Sequence, residues 1–576
     1  MKTVGPKRAD AVPAGAAAPV APVPRLQFTQ VAFAGHNRDS DLGDPKSVTA
    51  GLKVAFRKLT EGGLSQGRLL TGYAPGADQA AVRAWRDAAL GSVHVVFPFL
   101  GEQAGGHPPP DIQSATWLDG ATTRANGRNP HLAQTRWLIG AADLLVVVWT
   151  GQQARKAGGT ADAVRLALEH RVPILWVQPA HPDHPRLIRP QFLDEDFGFL
   201  EFLDELHADR APLVTHATPE GLHAALSVLG LSAADTVPEE FGPDAPHRIG
   251  WSSRTYAVFR RTLGGRGSGF ADRPPPEDLG VQKGFVALTR ARRAAAEHAR
   301  RLGAVHRSHQ VILLGIAILA AAAGSASALL PNLKLLLVAL ELVLALVALA
   351  VWLGAEREER HHQWGRARKL AEDLRLERAA WTLGASTVPH GLGRGSGPQA
   401  REARRLAGLP SGAYDPDRVT AWGAWAIDQL LSGQIAYHRD QTTINGRISH
   451  RVHQFENASF GLLLVILLGY VVASVIYALG GGAMPHWVAG VVFMAGSIVP
   501  AIGAAGLALE ATLDLGDQAQ RSRVLADELN VLRDAVDNPP TLESLQAVAK
   551  AAFRLERAQE DHWMQDAARR RLFRGG

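Results

Sequence analysis

Three short stretches in the first third of the chain combine glycine with polar or charged residues in a way that suits phosphate binding. They are Gly35-His36-Asn37-Arg38, Thr71 to Asp78 with glycines at Gly72 and Gly76, and Thr150-Gly151 leading on to Gly158-Gly159-Thr160. Glycine lets the backbone turn tightly and approach a ligand. Helices starting near Gly76 and Thr160 would point free N–H groups and a positive dipole end at an anion. Arg38, Arg155 and Lys156 would add full charges. His36 and Asp78 are also candidate acids or bases, although such residues in polar turns more often form hydrogen bonds or cap helices.

The elements that must position these residues follow from the apolar runs. Between Phe28 and Val177, strand-like runs at Gln30 to Ala34, Arg68 to Thr71, Val93 to Phe97, Leu144 to Trp149 and Val172 to Val177 alternate with helix-like segments. That rhythm predicts a parallel sheet flanked by helices. In such a sheet the ligand crevice lies outside the carboxyl ends of the strands, where the three glycine-bearing stretches fall. Beyond Val177 the pattern fades, and only Pro212 to Leu229 shows a further strand and helix.

The order G-H-x-R, then T-G-x-A-x-G-A-D, then A-D-L-L-V-V-V-W-x-G followed by G-G-T-A-D-A-V resembles the SLOG domains, relatives of the LOG and DprA Rossmann-like folds. The resemblance implies an α/β Rossmann-like domain over residues 26–235. In it, Gly35, His36, Arg38, Gly72, Gly76, Asp78, Trp149, Gly151, Gly158, Gly159 and Thr160 would line a nucleotide pocket. It also implies sensing of a nucleotide or nucleotide-derived second messenger, NAD-derived ones included. LOG enzymes look like P-G-G-x-G-T-x-x-E at the last loop, whereas this chain has Ala157 before the glycines and Ala163 at the carboxylate position. Binding without turnover is the expectation, with no catalytic residue and no cofactor assigned. The alternative is a membrane-anchored nucleotide hydrolase or phosphoribohydrolase using Asp162 or Asp78.

The second half is set by four apolar stretches, Val311 to Leu330, Leu335 to Gly354, Phe460 to Gly480 and Val488 to Leu509. Each has the length a helix needs to cross about 30 Å of hydrocarbon. Short connections make them two hairpins. Arg292, Arg293, Arg300, Arg301 and Arg307 precede the first hairpin, and Arg357, Arg360, Arg366, Arg368 and Lys369 follow it, whereas the turns hold only Lys334. The positive-inside rule then puts both termini in the cytoplasm. Ala11 to Val23 is broken by Pro13, Pro19 and Pro22, so residues 1–25 read as a disordered tail rather than a signal peptide. The net charge of +6 and pI near 9.6 are explained by arginines beside the spans, without nucleic acid. With no cysteine in 576 residues, disulfides, thiolate metal sites and cysteine nucleophiles are excluded.

Sliding the chain by 155 positions lays Arg366 to Leu374 on Arg521 to Leu529. The repeating unit is a basic lead-in helix, two spans and a charged trailing helix. It resembles the SLATT domain, a two-span module associated with SLOG domains and messenger synthases in bacterial conflict systems. Two such units are expected at 285–385 and 413–540, joined by a cytoplasmic linker at 386–412, preceded by a linker at 236–284 and followed by a C-terminal helix at 541–576. The all-α part would hold four transmembrane helices with long cytoplasmic extensions. The resemblance implies a homo-oligomeric membrane effector of the bacterial inner membrane that meets lipid, forms or opens a pore in antiviral defence, and works with a messenger-synthesising enzyme. Glu341, inside the second span, is the candidate intramembrane or pore residue, because a carboxylate there must be paired, protonated or facing water.

Overall fold

A computed structural model describes residues 29–36, 44–100, 112, 114–119, 127, 129–153, 157–190, 198–208, 213–227, 254–265, 273–357, 360–384, 398–480 and 484–572. Arg38, Arg155, Lys156 and the expected N-terminal tail lie outside these residues. The first part runs β1 (Thr29–Gly35), α1 (Pro45–Glu61), β2 (Gly67–Thr71), α2 (Ala77–Asp87), β3 (Gly91–Phe97), β4 (Ser114–Trp117), α3 (Pro130–Ala141), β5 (Leu144–Val148), α4 (Thr160–Glu169), β6 (Ile174–Gln178), β7 (His181–Ile188), α5 (Phe199–His207), β8 (Val214–His216) and α6 (Pro219–Ser227). The sheet has nine strands in the order β8-β7-β6-β5-β1-β2-β3-β4-β9, where β9 is Gly412–Ala413.

Strands β1 to β6 pair in parallel, and β7 and β8 close one edge antiparallel. The sheet is therefore mixed, whereas the alternation of strand-like and helix-like runs predicts only its parallel part. β7 begins His-Pro-Asp-His-Pro, with several of these residues exposed, so it lacks the apolar run that marks the central strands. At the other edge, β9 comes from the stretch expected to link the two membrane units, and it pairs in parallel with Thr116 and Trp117 of β4.

Side chains alternate across the sheet as strand geometry requires. Val31, Phe33, Leu69, Val93, Val95, Val146 and Val148 face one layer, with Leu52, Phe56 and Trp85 from α1 and α2. Ala32, Leu70, Val96, Leu145 and Val147 face the other, which continues without a break through Trp137, Trp381, Tyr414, Trp422, Trp425 and Phe553. One core thus joins the sheet to the helical half.

That half consists of α7 (Thr255–Gly264), α8 (Lys283–Leu329), α9 (Lys334–Arg357), α10 (Arg360–Thr382), α11 (Pro398–Ala407), α12 (Pro416–Ile427), α13 (Gly433–Leu479), α14 (His486–Leu513), α15 (Leu515–Asp534) and α16 (Leu542–Leu572). A π-helical segment, Asp428–Ser432, joins α12 to α13, so Pro416–Leu479 is one helix of 64 residues. Four helices are long and apolar enough to cross a membrane. The repeat is visible in three dimensions: α8 and α13 are each 47 residues long, each leads into a hairpin partner, and α10 and α15 fold back on them. Leu370 and Leu374 of α10 are buried, as are their counterparts Leu525 and Leu529 of α15. The two hairpins meet through α8 and α14, so the four apolar helices pack in the order α9, α8, α14, α13.

Candidate functional site

The strand order reverses direction between β1 and β5, the place where an open sheet forms a crevice at its carboxyl edge. His36 follows β1 and Thr150 lies just past β5, and the Thr150 N–H donates to His36 Nε2 at 3.3 Å. The imidazole therefore closes the floor of the crevice between the two strands. Beside it, the Ala77 N–H donates to the His36 carbonyl at 3.4 Å. Gly35 makes this approach possible, because a Cβ there would lie 2.5 Å from the Ala77 Cβ.

The second loop is held from below by Asp78. Its Oδ2 accepts from Thr71 Oγ1 at 3.1 Å and from the Ala74 N–H at 3.2 Å. Tyr73, at the loop apex, takes a left-handed conformation with φ 57°. Burial pushes the Asp78 carboxyl up to about 7, against the opposing pull of the hydrogen bonds from Ala74, Thr71 and Gly72. Its carboxylate is aimed into the loop, which is a positioning task. Gly72 leaves room for Gln134, whose Nε2 would lie 2.7 Å from a Cβ at that position.

The third loop is held in the same manner. Asp162 Oδ2 accepts from the Gly158 N–H at 2.7 Å, and its Oδ1 takes both Nε and Nη2 of Arg165 at 3.3 Å. Gly158 has φ 82° and lies against α3, where a Cβ would meet Leu132 N at 2.6 Å. Asn129 Nδ2 donates to the Ala157 carbonyl at 2.8 Å and so ties this loop to the start of α3. Trp149 is fully buried, with its Nε1 donating to the Gln152 carbonyl at 2.8 Å and its ring 5.5 Å from that of Trp176. Its indole belongs to the core under the crevice. Gly151 turns the chain away at φ 84°.

Two helices open onto this edge without a side-chain cap, α2 after Gly76 and α4 after Gly159 before Thr160. By contrast α1 is capped by Asp44 and α3 by Asn129. Uncapped first turns leave N–H donors and a positive dipole end for an anion. His36, Gly72, Gly76, Gly158, Gly159 and Thr160 thus share one edge, as the glycine pattern leads one to expect. Gln134, Asn129 and His131 of the α3 start join them unanticipated, although Asn129-Pro130 is a recognisable cap-and-first-turn pair.

No family model matches the chain, and no curated protein or solved structure has significant similarity to it.

One turn further along, α3 meets the helical half. The Trp137 ring stands edge-on to Tyr414 at 5.0 Å, and Gly384, at φ 59°, lies so close that a Cβ would meet that ring at 2.2 Å. Tyr414 OH donates to the Thr382 carbonyl at 2.6 Å, its N–H donates to the Trp117 carbonyl at 2.8 Å, and Arg418 lies 4.1 Å over the Trp422 ring. Arg136 pairs with Glu543 at 3.1 Å. A cavity of about 170 Å³ lies here, bounded by Leu118, Ala133, Trp137, Val419, Pro540 and Gln546. Helix α3 therefore touches the crevice through His131 and Gln134 and the helical half through Trp137.

Deeper in the seam, His94 is buried between Ser114 Oγ (2.7 Å from Nδ1) and Thr116 Oγ1 (2.9 Å from Nε2). Burial, and after it the charge of Arg68, lowers its pKa to about 3, so the ring is neutral at pH 7. In the helical half, Glu341 packs against the first hairpin helix, with its carboxylate oxygens about 3 Å from where a Gly324 Cβ would be. The carboxylate is thus placed inside its own hairpin, between α9 and α8.

Proposed function

We propose that this chain is a membrane effector that binds a nucleotide or nucleotide-derived second messenger at the β1/β5 crevice and answers by opening or assembling a path through the bilayer. The observation that carries the reading is the double contact of α3, which borders the phosphate-suited loops through its first turn and Gln134, and the segments that lead to the apolar hairpins through Trp137 one turn on. A phosphate group seated on the first turns of α2 and α4 would press on Gln134 and the Gly158 loop. Any shift of α3 is then handed to Tyr414 and Gly384 through Trp137, since a close-packed interface transmits displacement. The ligand must bind the open arrangement more tightly than the closed one for this to work.

Both carboxylates available for hydrolysis are engaged with loop backbone, Asp78 with Ala74 and Asp162 with Gly158. That favours binding over turnover. The packing order α9, α8, α14, α13 leaves α9 and α13 without a buried residue in their most apolar windows. A conducting path would therefore be built between copies of the chain, in a homo-oligomer of a bacterial inner membrane, and antiviral defence fed by a neighbouring messenger synthase is the setting that the SLOG and SLATT resemblance suggests.

The test uses full-length protein in liposomes loaded with a self-quenching dye. NAD, ADP-ribose, nucleoside monophosphates and cyclic dinucleotides are added in turn, with thermal midpoint, dye release and free base followed together. One class should raise the midpoint and trigger release, and Gln134→Ala should weaken both. Dye release independent of every nucleotide would overturn the reading, and sustained release of base would favour the hydrolase.

A further inference from the structure

Helix α7 sits where the two long helices approach their apolar stretches. Tyr256, Phe259 and Leu263 pack against Val311 and Leu314 of α8 and Ile444, Ile448 and Val452 of α13. Both ends of α7 are tied at that height. The Tyr256 N–H donates to Ser308 Oγ at 3.0 Å, three residues before the first apolar stretch, and Arg451 Nη1 donates to the carbonyls of Thr262 and Leu263 at 3.1 and 2.8 Å. Ser449, beside Arg451, donates to Glu510 at 2.7 Å, just beyond the end of the fourth stretch.

The outer side of α7 combines charge with an apolar residue. Val258 is 64% exposed, with exposed Arg254 four residues before it and Arg261 three residues after it on the same face, while Arg260 is half-buried toward the packed side. Arg447 and Arg451 are exposed on the neighbouring α13. Arg254, Arg260, Arg261 and Arg447 form no ion pair among the described residues. The acids at this height are engaged, Glu510 with Ser449 and the Gly516 N–H, and Glu456 with His453. Among the described residues, no carboxylate pairs with these four arginines.

We propose that α7 and the adjoining turn of α13 form a binding surface for anionic phospholipid headgroups, with Val258 dipping toward the acyl region and the arginines holding lipid phosphate. The location matches the headgroup layer if the four apolar helices cross a bilayer, a reading on which this inference rests. Guanidinium groups suit phosphate because they offer several donors in a fixed plane. An interfacial helix with an apolar residue among arginines gains from both burial and anionic charge. The phospholipid is the favoured source of phosphate because the patch lies beside the apolar stretches rather than in a closed cavity.

The chain has no cysteine, so Val258→Cys gives one unique labelling position. A nitroxide there, in full-length protein reconstituted into phosphatidylcholine vesicles containing phosphatidylglycerol, should be relaxed more by oxygen than by a water-soluble nickel complex. In a second measurement, phosphatidylglycerol should raise the thermal midpoint by about 3 °C or more over phosphatidylcholine alone, and the triple variant R254Q/R260Q/R261Q should lose that gain. Inorganic phosphate added to phosphatidylcholine vesicles should give no gain. Flotation with vesicles of either composition reports on the apolar helices alone. If flotation holds but the wild type and the triple variant respond alike, or phosphate alone reproduces the gain, the headgroup surface is overturned while the membrane reading stands.

Discussion

Asp143 and Arg405 form a buried ion pair that joins the start of β5 to α11, across 262 residues of chain. Arg405 Nε lies 2.8 Å from Asp143 Oδ1, and Asp143 Oδ2 accepts from the Gln30 N–H at 2.9 Å. One carboxylate thereby fastens β1, β5 and the segment between the two hairpin units. Because removing one partner strands a buried charge, Asp143→Ala should lower stability by about 3–5 kcal/mol. Arg136→Ala, which breaks the half-exposed pair with Glu543, should cost under about 1 kcal/mol. Urea unfolding of the detergent-solubilised protein checks both, and equal losses would refute the distinction.

Asp78 should make stability depend on pH near neutrality. Its carboxyl is raised from 3.8 to about 7 by burial. Between those values the folded chain holds a proton that the unfolded chain has released, so the contribution is full below about pH 4 and is lost as pH rises through about 7. Unfolding midpoints at pH 5.5 and 8 should fall in the wild type and fall less in Asp78→Asn, whose amide oxygen can still accept from Ala74. A variant with the wild-type slope would remove Asp78 as the source.

Gly35→Ala should push α2 away from β1, since its Cβ would lie 2.5 Å from the Ala77 Cβ. Overpacking of this kind costs about 1–3 kcal/mol. The double variant Gly35→Ala with Ala77→Gly should recover most of the loss, which a denaturation cycle will show. Absence of recovery would mean that the strain lies elsewhere in the His36 turn.

Gly324→Ala should disturb the first hairpin, because the added methyl meets the Glu341 carboxylate at about 3 Å. Glu341→Gln should relieve part of that defect in the double variant. If Glu341 instead lines a conducting path, Glu341→Gln alone will change the ion selectivity of reconstituted protein, with or without a change at Gly324.

The central strands were legible because Leu144 to Val148, Val93 to Phe97 and their neighbours are apolar runs long enough to be buried on both faces. The strand β7 was not, because an edge strand can carry His181, Asp183 and His184 on its solvent side. β9 is two residues long and exists only because Tyr414 and Pro410 bond to Trp117 and Thr116. The glycines of the crevice could be read from their types, whereas Gln134 and His131 owe their place to the docking of the Gly158 loop on α3. The single core shared by sheet and helices had no local signature, since Trp137, Tyr414 and Trp422 look alike whether they face solvent, lipid or each other.

The helix from Pro416 to Leu479 contains 64 residues, about 96 Å at about 1.5 Å per residue. It starts beside Trp137 and Tyr414 and ends at the tip of the second hairpin. A pivot of about 5° at the π-helical turn would swing the tip, 47 residues or about 70 Å further on, by roughly 6 Å. The π-helical turn at Asp428–Ser432, gripped by Arg375 and Arg378 through Gln429, is then the fulcrum of a lever. Small motions at the sheet become large ones at the far end, and the stiffness of that single turn decides how faithfully they arrive.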